Sequence, residues 1–98
     1  MSNVARLGDL ISCGDIIIQG SANVIVEDMP VALKGMVTVG HDGFHPTFLT
    51  GVCSSTVIIN DLPVALRGKT VIQPHGKRRT TPHSGVIVSS ASTVSIEE

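Results

Sequence analysis

Ser21-Ala-Asn-Val-Ile-Val-Glu-Asp-Met-Pro-Val-Ala-Leu-Lys-Gly35 and Ser54-Ser-Thr-Val-Ile-Ile-Asn-Asp-Leu-Pro-Val-Ala-Leu-Arg-Gly68 align without a gap over their whole length. Each copy opens on a run of β-branched residues. A pair of turn-favouring residues follows, Glu27-Asp28 or Asn60-Asp61, and then a proline and Val-Ala-Leu. That order predicts a β-hairpin. A third copy is divided between the two ends: Ser90-Ala-Ser-Thr-Val-Ser-Ile96 matches the first half and Val4-Ala-Arg-Leu-Gly8 the second. With the two end segments side by side, the chain closes into a ring of three similar units, and one polypeptide imitates a trimer.

Composition supports an all-β chain. At 98 residues the expectation is a single domain, 1–98, whose core alone leaves stability marginal. Hydrophobic residues make up 42%, yet there are only two Phe and no Trp or Tyr, so the apolar weight rests on Val and Ile. Those side chains are stiff at χ1 and suit pleated surfaces. Ten Gly and five Pro interrupt every helical period, so no helix of useful length is expected. Such a fold calls for a staple other than hydrophobic burial. The net charge of −1 gives no general pull towards nucleic acid or anionic lipid. No secretory signal opens the sequence, and the longest apolar run, Ile16-Ile-Ile18, is too short to cross a bilayer.

The unusual residues collect in the loops between units. Aligned on Val24, Val57 and Val94, Cys13 lies eleven residues before the first, His45 twelve before the second and His83 eleven before the third. Ligand-type side chains at equivalent places in a threefold ring should converge near its axis. The fourth ligand is His41 or His75; His41 is preferred, because His75 adjoins the cationic Gly76-Lys-Arg-Arg79. One thiolate and three imidazoles suit a single zinc-like ion with no open position, which argues for structure over catalysis. Cys53 falls where the other units carry small residues, and it reads as a packing residue rather than a ligand or a disulfide partner of Cys13.

Other motifs are weak. Gly68-Lys69-Thr70 would need a glycine where Pro63 stands to be a phosphate-binding loop. Lys77-Arg78-Arg79 lacks neighbouring aromatics and reads as a solvated loop tip. Asp42 is a conceivable general base, but four protein ligands leave no metal-bound water for it to activate.

Val4-Ala-Arg-Leu-Gly-Asp9 resembles the proline/alanine-alanine-arginine signature of the PAAR-repeat proteins. Gly20-Ser-Ala-Asn-Val-Ile-Val26, Pro30-Val-Ala-Leu33 and Pro63-Val-Ala-Leu-Arg67 resemble the family's hairpins. The resemblance implies a cone-shaped, three-sided β structure with zinc near its point, bound by three His and one Cys. By position these are Cys13, His41, His45 and His83. The family usually has His first and Cys second, and here the two are exchanged; the Asp after the signature Gly persists as Asp9 but becomes Met36 and Lys69.

The resemblance further implies a monomer seated on a trimeric β-helical spike of a contractile phage tail or of type VI secretion, where the spike is a valine-glycine-repeat trimer. Such a spike ends in exposed strand edges that a pseudo-threefold cap can cover by adding β structure. Val24, Val26, Val57, Ile59, Val94 and Ile96 are expected to form the docking base. The implied function is structural: to cap and sharpen the spike for envelope penetration, with no turnover and no nucleic acid, touching the target envelope only transiently. The alternative is a free-standing zinc-dependent hydrolase or toxin. The expected location is the virion, at the tip of the tail baseplate, or the bacterial cytoplasm followed by type VI delivery. The sequence reaches Glu97-Glu98 within two residues of its last repeat strand, so no appended effector is expected; this and the divergent later copies lean the expectation towards the phage tail.

Overall fold

The computed structural model describes residues 2–40, 45–74, 84–92 and 94–96. Its strands are β1 (Ser2–Asn3), β2 (Ile25–Val26), β3 (Met29–Pro30), β4 (Leu49–Gly51), β5 (Ile58–Ile59), β6 (Leu62–Pro63), β7 (Thr70–Ile72) and β8 (Ser95–Ile96). Two hairpins stand where the repeat predicts them. Glu27 and Asp28 have φ of 50° and 69°, and Asn60 and Asp61 have 53° and 68°. Positive φ at both central residues defines the type I′ turn, whose twist matches that of its strands. β2 thus pairs with β3, Val26 opposite Met29, and β5 with β6, Ile59 opposite Leu62.

The third hairpin is made from the two ends of the chain. β1 runs antiparallel to β8, with Ser2 opposite Ile96 and Asn3 opposite Ser95. Backbone hydrogen bonds carry the same threefold pattern inward. Ala5 N–H donates to the Ala65 carbonyl (3.1 Å), Ala65 to Ala32 (3.0 Å), and Ala32 to Ala5 (2.9 Å). This triangle closes on itself, and the three methyl side chains are fully buried around it. A larger residue would hold the three backbones apart.

A second ring lies beyond the alanines. Bridges join Leu10 to Ile16, Ile17 to Thr38, Val37 to Phe48, Leu49 to Ile72, Val71 to Val86, and Ile87 back to Ile11. A ring closed in this way has no free strand edge. Its inward residues, Ile11, Ile17, Thr38, Leu49, Ile72 and Ile87, are buried. Leu10, Ile16, Ile18, Val37, Phe48 and Val88 face out and remain exposed. Between the rings, Gly8, Gly35 and Gly68 adopt φ of 91°, 89° and 78°. Their N–H groups donate to the carbonyls of Ile17, Leu49 and Ile87 at 2.8, 2.8 and 2.9 Å.

The units differ where the sequence differs. One backbone N–H in each needs an acceptor. Arg6 N–H finds Asp9 Oδ2 (2.6 Å), Leu33 N–H faces Met36 Sδ (3.3 Å), and Leu66 N–H finds Thr70 Oγ1 (2.8 Å). The acceptor role of the aspartate passes to a weakly accepting thioether in one later copy and to a hydroxyl in the other. Arg6 also seals the seam between the chain ends, donating to the Glu27 carbonyl (3.2 Å) and the Ser90 carbonyl (3.3 Å). The whole measures 39 × 24 × 22 Å, one long axis with two nearly equal cross-axes, as threefold geometry requires.

Candidate functional site

Period-2 alternation along each hairpin arm turns Val24 and Val26, Val57 and Ile59, and Val94 and Ile96 towards the axis. These six pack on the second core cluster, which includes Val4, Val31 and Val64. Together the nine residues line a depression of about 110 Å³ that opens at the hairpin end of the molecule. Every expected docking residue therefore lies in one place. The lining is aliphatic throughout, three side chains from each unit. Ile25 and Ile58, the intervening residues, point away and are 63% and 55% exposed.

The candidate metal ligands belong to the connections between units. Cys13 is a free thiol, half-buried, and packs against the aliphatic core. Ser12 N–H donates to the Val86 carbonyl (2.9 Å), so this turn runs beside the segment that follows residue 83. A methyl group on Gly85 would stand 3.1 Å from Cys13 N, which shows how closely the two backbones pass. Asp15, two residues beyond the thiol, is fully buried and reaches across to the next loop. Its Oδ1 accepts from Ile16 N–H and Gly40 N–H, both at 2.8 Å, and its Oδ2 from Thr38 Oγ1 at 2.5 Å. Thr47 Oγ1 donates to the Gln73 carbonyl (2.7 Å) and Ser84 Oγ to the Ile72 carbonyl (2.7 Å), which completes the circuit.

His45 is exposed. His41, His75 and His83 lie outside the described residues, as do Asp42 and Lys77-Arg78-Arg79. Among the described residues no three His, Cys, Asp or Glu side chains gather into a metal-binding group. Of the four candidate ligands, Cys13 and His45 are the described ones. Cys53 is also a free thiol, half-buried, with Sγ 3.5 Å from Thr70 Oγ1.

Sequence reasoning overlooked Asp15. An acidic residue directly before the apolar run Ile16-Ile-Ile18 is the signal that could have found it, because a carboxylate buried there must be satisfied. It also gave Arg6 no task beyond the signature. Arg6 Nε lies 3.6 Å from Asp9 Oδ2 and Nη1 3.8 Å from Glu27 Oε1. Asp9 Oδ1 in turn accepts from Ser89 Oγ at 2.9 Å.

A single chain closed into three similar units, with an aliphatic depression among its hairpin arms, defines a pseudo-threefold β structure. The PAAR motif family profile matches residues 7–72, well over half of the chain. The protein belongs to the PAAR motif family. No curated protein matches it. Membership gives it the family's place at the spike tip of contractile injection systems, in phage or type VI machinery, associated with a spike of the valine-glycine-repeat type. The family's role is structural.

Proposed function

We propose that this chain caps a trimeric β-helical spike, one copy per trimer, with the Val24, Val57 and Val94 segments against the spike and a zinc-bound point leading. The observation that carries this reading is the closed alanine triangle: it gives a monomer the symmetry of its proposed support. A homotrimer offers three identical strand ends, and three hairpins related by that axis meet all of them at once. The aliphatic base then leaves water on assembly, the driving force for a lasting joint.

Zinc held by Cys13, His41, His45 and His83 would supply the staple that the small core lacks. The donor set fits: one soft thiolate and three imidazoles complete a tetrahedral structural site. The buried Asp15 network, which ties the segment just after Cys13 to Thr38 and Gly40, supports the same reading by anchoring the residue that precedes His41. Structural zinc contributes on the order of 10–16 kcal/mol in small domains, as much as the whole net stability of a typical chain of this size. With the coordination filled, the tip works mechanically, as a point that parts an envelope.

The test combines metal analysis with capture on a trimeric spike fragment from the same source. One zinc per chain and stable capture are expected. Cys13→Ala should lose the zinc, and Ile59→Asp should abolish capture while keeping the metal. A metal-free native protein, or capture indifferent to Ile59→Asp, overturns the proposal.

A further inference from the structure

Resting on the reading of the base as the docking face, we propose that the base is a socket, and that the spike inserts an aliphatic plug along its axis. The plug is one methyl-bearing side-chain tip from each of three spike chains, with no aromatic ring and no charge. A flat apolar joint would need no cavity. Here Val4, Val31 and Val64 form a floor that is 3%, 1% and 1% exposed, below the rim made by the hairpin arms.

The socket is built to stay open. Val31 N–H donates to the Val24 carbonyl (3.0 Å), Val64 to Val57 (3.2 Å) and Val4 to Val94 (3.1 Å), so floor and wall are fixed to each other in every unit. Val and Ile hold few rotamers, so the walls cannot fold in to fill the gap. A void left inside the joint would forfeit dispersion contacts along its whole lining. The spike must therefore supply atoms for it.

Volume and chemistry decide which atoms. The depression holds about 110 Å³. An enclosed apolar cavity of about 150 Å³ takes one benzene, so a ring on the axis would not seat fully in this shallower space. The same space admits several methyl-sized groups. One tip from each chain of a trimer, related by the axis, would enter it symmetrically. No lining side chain offers a hydrogen bond, so a polar or charged plug would go unsatisfied.

The experiment measures capture of a trimeric spike fragment by the full chain, after thermal melts confirm that each variant folds. Val57→Phe, which fills the socket from its wall, should weaken capture at least tenfold with zinc content unchanged. In a second arm the spike's axial aliphatic residue is lengthened by one methylene. That spike should bind the unaltered tip at least tenfold more weakly and regain affinity for Val64→Ala, whose floor is deeper. If Val57→Phe melts early, the second arm decides alone. Unaltered capture by Val57→Phe, no rescue by Val64→Ala, or an aromatic or charged residue on the spike axis overturns the plug but leaves the base as docking face. Failure of the unaltered chain to capture the spike overturns both.

Discussion

Asp9 and Asp15 each stitch together segments that are distant in sequence. Asp9, 5% exposed, accepts from Arg6 N–H and from Ser89 Oγ, and so joins the first strand to the last turn of the ring. Asp9→Ala strands these donors and leaves the Arg6 guanidinium without its nearest carboxylate. A loss of about 2–4 kcal/mol is expected in urea unfolding. Asp15→Ala frees three donors. It should cost about 3 kcal/mol and lower zinc occupancy as well, whereas Asp9→Ala should leave zinc in place. Equal zinc retention in both would break the link between Asp15 and the ligand loops. The repeat alignment made the three N–H positions equivalent, but not their acceptors. Thr70 stands one residue beyond the position of Asp9 and Met36, and an alignment by residue does not see a hydrogen bond that reaches one step further.

At the level of the hairpin, sequence reasoning was accurate because turn chemistry is local. Asn60-Asp61 and Glu27-Asp28 marked both turns, and the divided third copy foretold the pairing of β1 with β8. Burial on the second ring was not legible. Ile16-Ile17-Ile18 shows no alternation in sequence, yet Ile17 alone is inside while Ile16 and Ile18 are 38% and 48% exposed. Hydrophobicity without alternation carries no register. Two glycines separate two causes of constraint. A methyl group at Gly20 would stand 2.5 Å from Pro30 Cβ, so Gly20→Ala should cost about 1–3 kcal/mol through overpacking. At Gly35 nothing lies within 4 Å, and only the φ of +89° resists a side chain. Gly35→Ala should therefore cost about 1 kcal/mol, read as a smaller fall in urea midpoint. The reverse order would mean that the Gly20–Pro30 approach is slack.

For the whole molecule, closure has a consequence in topology. Ser2 stands opposite Ile96 in the register that Met29 has with Val26, so two residues suffice to link them. A permutant running Ile96-Asn-Gly-Ser2 and opened between Glu27 and Asp28 should fold, melting within about 10 °C of the parent. A permutant that fails to fold would show that the terminal pairing is incidental. Chelation probes the other end: stripping zinc should lower Tm by tens of degrees, since each kcal/mol moves a domain of this size by roughly 4–8 °C. A melt unchanged by chelator would remove the metal from the account of stability. Spacing assigns Cys13, His45 and His83 equivalent places in the ring and so nominates them as ligands, while the choice between His41 and His75 depends on loop paths that spacing does not fix.

Stoichiometry reaches the centre of the matter. In native mass spectrometry of the complex with its trimeric spike, a monomer that imitates a trimer must appear once for every three spike chains. Three copies per trimer, one on each chain, would contradict it.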